Sequence, residues 1–250
     1  MALFRQAAIA AIATCITFSA QASQLPPILE HALEQGELAN QIRWSFTQSF
    51  ESGETNFRFR FIPTESEGAF TLLSPERLTG ESERIYTRLT EDPDPDSDLT
   101  HEQARIVIGD QDILIVEETD TLVTYAVAPN PWDDLDEAEA QMMEHITAEL
   151  TIDKATEQVS RIRLYNHEPF HAMVVARVNR FEQVMTFAPE PVTGLPLMTS
   201  FRQEVEGSAL FSRFSRVRQE TYSEFQPVDF EVATGGCTQT ACIREFLSAR

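Results

Sequence analysis

The chain has 250 residues, 42% of them apolar, and 40 acidic side chains against 19 basic ones, for a formal net charge of −21. That much apolar material suits one all-β domain with a real core. The acidic field repels polyanions, which makes nucleic acid and anionic membrane surfaces alike poor partners.

Arg5 precedes the apolar run AAIAAIATCITFSA, which ends at the small-x-small pattern Ala20-Gln21-Ala22. The run is shorter than the roughly 20 residues a spanning helix needs and begins close to the N-terminus. Residues 1–22 therefore read as a signal peptide cut before Ser23, and the protein as exported to the periplasm. Cys15 sits inside the run after Thr14, where a lipid-anchor cysteine does not belong. No later segment is apolar enough to span a bilayer. Residues 23–230 are expected to form one domain, followed by a tail over 231–250.

In chain order, Pro26-Pro27 open a predicted helix with Ile28, Leu29, Ala32, Leu33, Ala39 and Ile42 near helical spacing, weakened at Gly36. The segment IRWSFTQSFESGETNFRFRF then alternates, turns at Glu51-Ser52-Gly53 and alternates again. Its arms present Ile42, Trp44 and Phe46, and Phe57, Phe59 and Phe61, as an apolar wall. Short strands are expected in AFTLL (69–73) and RIYTRL (84–89). The loop TEDPDPDSDLTHE places acids at alternate positions, but Ser97 and Gln103 stand where a calcium loop needs glycine and glutamate, so it reads as a solvated linker. A meander over 104–129 turns near Gly109-Asp110 and Thr119-Asp120.

The segment NPWDDLDEAEAQMMEHI (130–146) breaks the alternation and predicts an amphipathic helix. Pro131 and Asp133, Asp134 and Asp136 suit its start, and Leu135, Ala138, Met142, Met143 and Ile146 form its apolar stripe. Strands follow within 147–166, 177–189, 194–211 and 216–228. About a dozen strands joined by hairpins, without βαβ alternation, predict one large curled antiparallel sheet of the mainly β (α+β) class.

No nucleophile elbow, zinc helix motif, P-loop or dinucleotide fingerprint occurs. His167 and His171 are four apart, but Pro169 between them opposes the helix that would align them on a metal, so a surface loop is expected. Tyr222, Glu224 and the scattered carboxylates are expected on outer strand faces. Cys237 and Cys242 form an even pair in an exported chain, which favours a disulfide closing the tail loop over a metal pair or free thiols. No cofactor is implied, and nothing supports an enzyme.

A short N-terminal helix leading into IRWSFTQSF, with Phe46-Thr47-Gln48, resembles the start of periplasmic outer-membrane lipoprotein carriers of the LolA/LolB type. GDQDILIVEETDTLVTYAVAP, an interrupting helix and ELTIDKATEQVSRIRL follow in a similar order, from about Pro26 to Leu164. The resemblance implies an unclosed β-barrel covered by helices. Its apolar inner face would receive lipid or lipoprotein acyl chains. Trp44, Phe46, Phe57, Phe59 and Phe61 would line that face, and Leu135, Met142 and Met143 would belong to a lid. The competing expectations are a filled core under those aromatics, and a non-enzymatic module that meets a periplasmic protein partner.

Overall fold

The computed structural model describes residues 25–63, 68–91, 99–100, 108, 113–127, 143–173, 176–210 and 212–228. Helix α1 (Pro27–Asn40) starts on its proline pair, whose preset φ suits a first turn. Its Leu29, Ala32, Leu33, Gly36 and Ala39 are buried along one side, and Gly36 does not interrupt it. Strands β1 (Trp44–Ser52) and β2 (Thr55–Pro63) form the expected hairpin, turning at Gly53, whose φ of +58° only glycine adopts freely. Strand β3 (Gly68–Ser74) pairs with β2.

Residues 84–89, expected as a strand, lie instead in helix α2 (Glu81–Thr90). The alternation of RIYTRL was too short to decide. Ile85 and Leu89 are four apart, so a helix sets both on one side with Tyr86 beside them, and that side packs on the aromatic hairpin.

The remaining strands are β4 (Leu114–Glu118), β5 (Leu122–Val127), β6 (Ile146–Asp153), β7 (Gln158–Asn166), β8 (Phe170–Met173), β9 (Ala176–Pro189), β10 (Pro196–Ala209) and β11 (Ser212–Pro227). Strand β8 occupies part of the stretch expected as a loop around His167 and His171. It pairs with the start of β9, continuing the line of β7 after the break at Pro169. Ile108, in the stretch expected to supply the meander's first strand, is helical and buried.

All pairings are antiparallel in an 11-stranded sheet of order β3-β2-β1-β11-β10-β9-β7-β6-β5-β4, with β8 joined to β9. Among the described residues its ends, β3 and β4, do not pair, so the sheet is unclosed. The N-terminal hairpin is held in place by the last strand, through β1 against β11.

Register lines up one row across the sheet: Ile115, Tyr125, Leu150, Ile162, Met185, Phe201, Glu220, Phe50 and Phe57 are successive cross-strand partners. Partners share a face, so this row marks the inner face. Helix α1 covers part of it, packing Leu29, Ala32 and Leu33 with Tyr125, Leu150, Ile152, Ile162 and Phe187. On the other face Arg163 reaches Glu149 and Glu182, Arg180 reaches Glu182 and Glu204, and Arg202 reaches Glu204. Hydrophobic inside and charged outside, the strands follow the period of two.

Candidate functional site at the inner face

The aromatic wall is assembled by the β1–β2 register, which sets Phe46 opposite Phe61 and Phe50 opposite Phe57. Their rings lie 5.2 and 4.9 Å apart, the second pair stacked. Trp44, Phe46, Phe57 and Phe61 are 0% exposed and Phe59 1%. The indole N–H of Trp44 donates to the Ala39 carbonyl at 3.0 Å, which satisfies an end carbonyl of α1 and ties the wall to that helix.

The wall is covered by the protein itself. Leu38 and Ala39 of α1, Leu99, Leu195 and Leu197 meet it, and α2 adds Ile85, Tyr86 and Leu89. Tyr86 sets its ring edge-on to Phe57 and Phe59 at 5.7 and 5.9 Å, and burial pushes its hydroxyl above the ordinary value. No residue of α2 is itself buried.

Beside the wall the inner row holds one charge. Glu220 is 2% exposed on β11. Gln48 Nε2 donates to its Oε2 at 2.6 Å, the Tyr222 hydroxyl donates to the same oxygen at 2.6 Å, and Arg218 Nε donates to Oε1. The Arg218 guanidinium also lies over the rings of Phe201 and Phe50, at 5.1 and 5.4 Å from their centroids. Burying a carboxylate is tolerable only with such partners.

Two expectations change here. Tyr222 belongs to the inner face, 5.8 Å from the Phe46 ring, because it pairs with Gln48. Glu220 is not a surface carboxylate. Glu224 does stay exposed, where Thr47 donates to it at 2.6 Å and Arg58 and Arg60 pair with it. Sequence reasoning missed the Gln48–Glu220–Arg218 cluster, although a signal existed. Gln48 falls on the apolar parity of Trp44, Phe46 and Phe50, and a polar group there demands a partner.

Met143 is buried with Ile146, Phe170 and Val178 in a separate cluster, packed by Leu164, Phe181 and Val205. It is not brought to the aromatic wall. Ile146, expected on the helical stripe of the lid, instead opens strand β6, while Leu135, Met142 and the rest of 130–142, the acidic loop over 92–98, Cys237 and Cys242 lie outside the described residues. His171 is exposed on β8, and His167 sets its ring 4.8 Å from that of Tyr165. Among the described residues no three His, Cys, Asp or Glu side chains are grouped to hold a metal, and no helix is long and apolar enough to cross a membrane.

Fold and site define a mainly β protein with an unclosed antiparallel sheet, helices over one face and an aromatic wall beneath them. No protein-family model and no curated protein matches the chain. Two solved structures align with it. A crystal structure of MucB in complex with MucA(peri) is 11% identical, covering 81% of this chain and 100% of that one, with a TM-score of 0.24. The complex structure of Pseudomonas aeruginosa MucA/MucB is 8% identical over 81% and 98%, with a TM-score of 0.21. At such scores the likeness assigns neither fold nor partner to this chain.

Proposed function

We propose that the protein binds acyl chains of lipids or lipoproteins on its helix-covered face and carries them through the periplasm without a catalytic step. One observation carries this reading. The fully buried aromatics of β2 lie beneath α2, a helix that buries none of its own residues completely. A cover attached by one partly buried stripe can lift at modest cost, whereas the wall under it needs an apolar replacement. An acyl chain supplies one, at about 25 cal/mol for each Å² of apolar surface removed from water. Arg218 and Glu220 then mark the polar border of the apolar face.

Native mass spectrometry of the protein purified from its own periplasm tests the proposal. Co-purifying lipid is the expected result, and a protein that is empty and ignores added fatty acid would sink it.

A second reading has its own observation. Leu114, Ile115 and Val116 of the end strand β4 are 65%, 57% and 53% exposed, and among the described residues β4 pairs only with β5. An exposed apolar edge can accept an extended segment of another protein. A co-purifying polypeptide in place of lipid would select this interaction module.

A further inference from the structure

The inner face carries a polar strip that packing does not call for. Gln183, Gln203, Arg218 and Ser52 are successive cross-strand partners, forming the inward row next to Met185, Phe201, Glu220 and Phe50. On the strip's other side lie Phe181 and Val205, which pack with Met143, and Arg216, the partner of Val205. Strand parity reserves this face for apolar side chains, so glutamine and arginine here need a reason.

Arg218 is the preorganised member of the strip. Glu220 holds its Nε, and its guanidinium lies over the rings of Phe201 and Phe50. Its two Nη nitrogens have no partner among the described residues, and the side chain is 41% exposed. A guanidinium bonded through Nε keeps its Nη pair as a second planar fork, matched to a carboxylate or a phosphate. Gln203 beside it gives one Nε2 hydrogen to Gln183 Oε1 at 3.2 Å and keeps the other. Arg216 is exposed and forms no ion pair among the described residues. The carboxylates of the adjoining strands turn away, since Glu204 and Glu206 pair with Val217 and Ser215 on the other face, with Glu182. Glu54, in the β1–β2 turn past Ser52, bonds neither arginine. Two inward arginines against Glu220 leave this patch net positive, in a chain of net charge −21.

We propose that the bound amphiphile is an acid, and that the Arg218 Nη pair, with Gln203 and Arg216 beside it, receives its anionic oxygen head, a carboxylate or a phosphate. The inference rests on the reading that acyl chains lie on the aromatic wall, and adds which end of the ligand is recognised. A chain whose head is held at Arg218 begins at Phe50, which is stacked on Phe57 of the wall. An uncharged ester or alcohol would leave the fork unfilled. The acidic field of the whole chain opposes any anion, so selectivity for an acid has to come from these local groups. Glu220 acts through Arg218, holding the fork in place so that little freedom is lost on binding.

Isothermal titration calorimetry of the delipidated protein with decanoate, decyl phosphate and decanol at neutral pH tests it. At least one of the two anions is expected to bind about tenfold or more tightly than decanol, as a charge-assisted fork supplies. The tighter anion names the head. Arg218→Gln should bring the acids down to the level of decanol and leave decanol affinity as it was. Arg218→Lys, which keeps a charge for Glu220 but has no fork, should also lose most of the preference, and dichroism checks that each variant is folded. Equal affinity of the wild type for the acids and decanol overturns the head site and leaves the acyl-chain reading standing. A preference that survives in either folded variant overturns the assignment to Arg218. A wild type that binds none of the three removes the acyl-chain reading and this inference together.

Discussion

Gln48 and Glu220 meet side chain to side chain across β1 and β11, with Gln48 Nε2 donating to Glu220 Oε2 at 2.6 Å. The contact fastens the N-terminal hairpin to the last strand, from positions 172 residues apart. It also places the charge of the inner row where Arg218 and Tyr222 can reach it.

Glu220→Ala is therefore expected to destabilise the fold by about 2 kcal/mol. It leaves the buried Gln48 amide only its longer bond to the Tyr222 hydroxyl at 3.3 Å and takes the acceptor from that hydroxyl. Arg218 is partly exposed and recovers water, which keeps the loss below that of a fully buried ion pair. Glu224→Ala, on the exposed face of the same strand, should cost less. Urea unfolding of the two variants compares them, and equal losses would remove the special role of Glu220.

Phe59→Ala removes a ring that is 1% exposed and packed against Phe57, Phe70 and Tyr86. As core alone, it should cost ~3–5 kcal/mol. If the wall receives acyl chains, the variant should also lose affinity for a fluorescent fatty acid by more than its unfolded fraction explains. Severe destabilisation, with no fatty-acid binding by the wild type, would leave the wall as plain core.

Helix α2 should open more readily than the strand it covers. Residues 81–90 bury no side chain completely, whereas β2 buries Phe57, Phe59 and Phe61. Hydrogen exchange is expected to be faster in α2 than in 57–61, and to slow when fatty acid is added if lipid settles beneath a reclosed helix. Exchange as slow as that of β2, unchanged by lipid, would make α2 a fixed part of the core.

The outer charge ladder predicts acid sensitivity. Glu182 and Glu204 are directly opposite on β9 and β10, a like-charge pairing offset by Arg180 bonded to both. The hydrogen bond from Arg180, with Arg163 adding another, holds the Glu182 carboxyl below its ordinary value near 4.5. A lowered folded-state value means that this stability is fully present above the ordinary value. It is lost as the pH falls through the depressed one. Urea midpoints measured downward from about pH 5 should fall less steeply in Glu182→Gln than in the wild type. Parallel curves would show that the ladder does not couple to folding.

The sequence by itself determined the local architecture: the proline-started helix, the β1–β2 hairpin, the antiparallel strands and the inward parity of Trp44, Phe46, Phe57, Phe59 and Phe61. Period, turn residues and helix starts act over a few neighbours, so they are legible in one dimension. Only the tertiary structure decided what those local rules leave open. The segment RIYTRL became a helix because the aromatic hairpin needed a cover, and a stripe of Ile85, Tyr86 and Leu89 fits it. Tyr222 and Glu220 turned inward because the β1–β11 register, set by residues far apart in the chain, assigned their faces. Met143 went to a cluster of its own with Ile146, Phe170 and Val178. A strand's two faces are fixed relative to each other by the backbone, but which of them is buried depends on the partner that long-range pairing supplies.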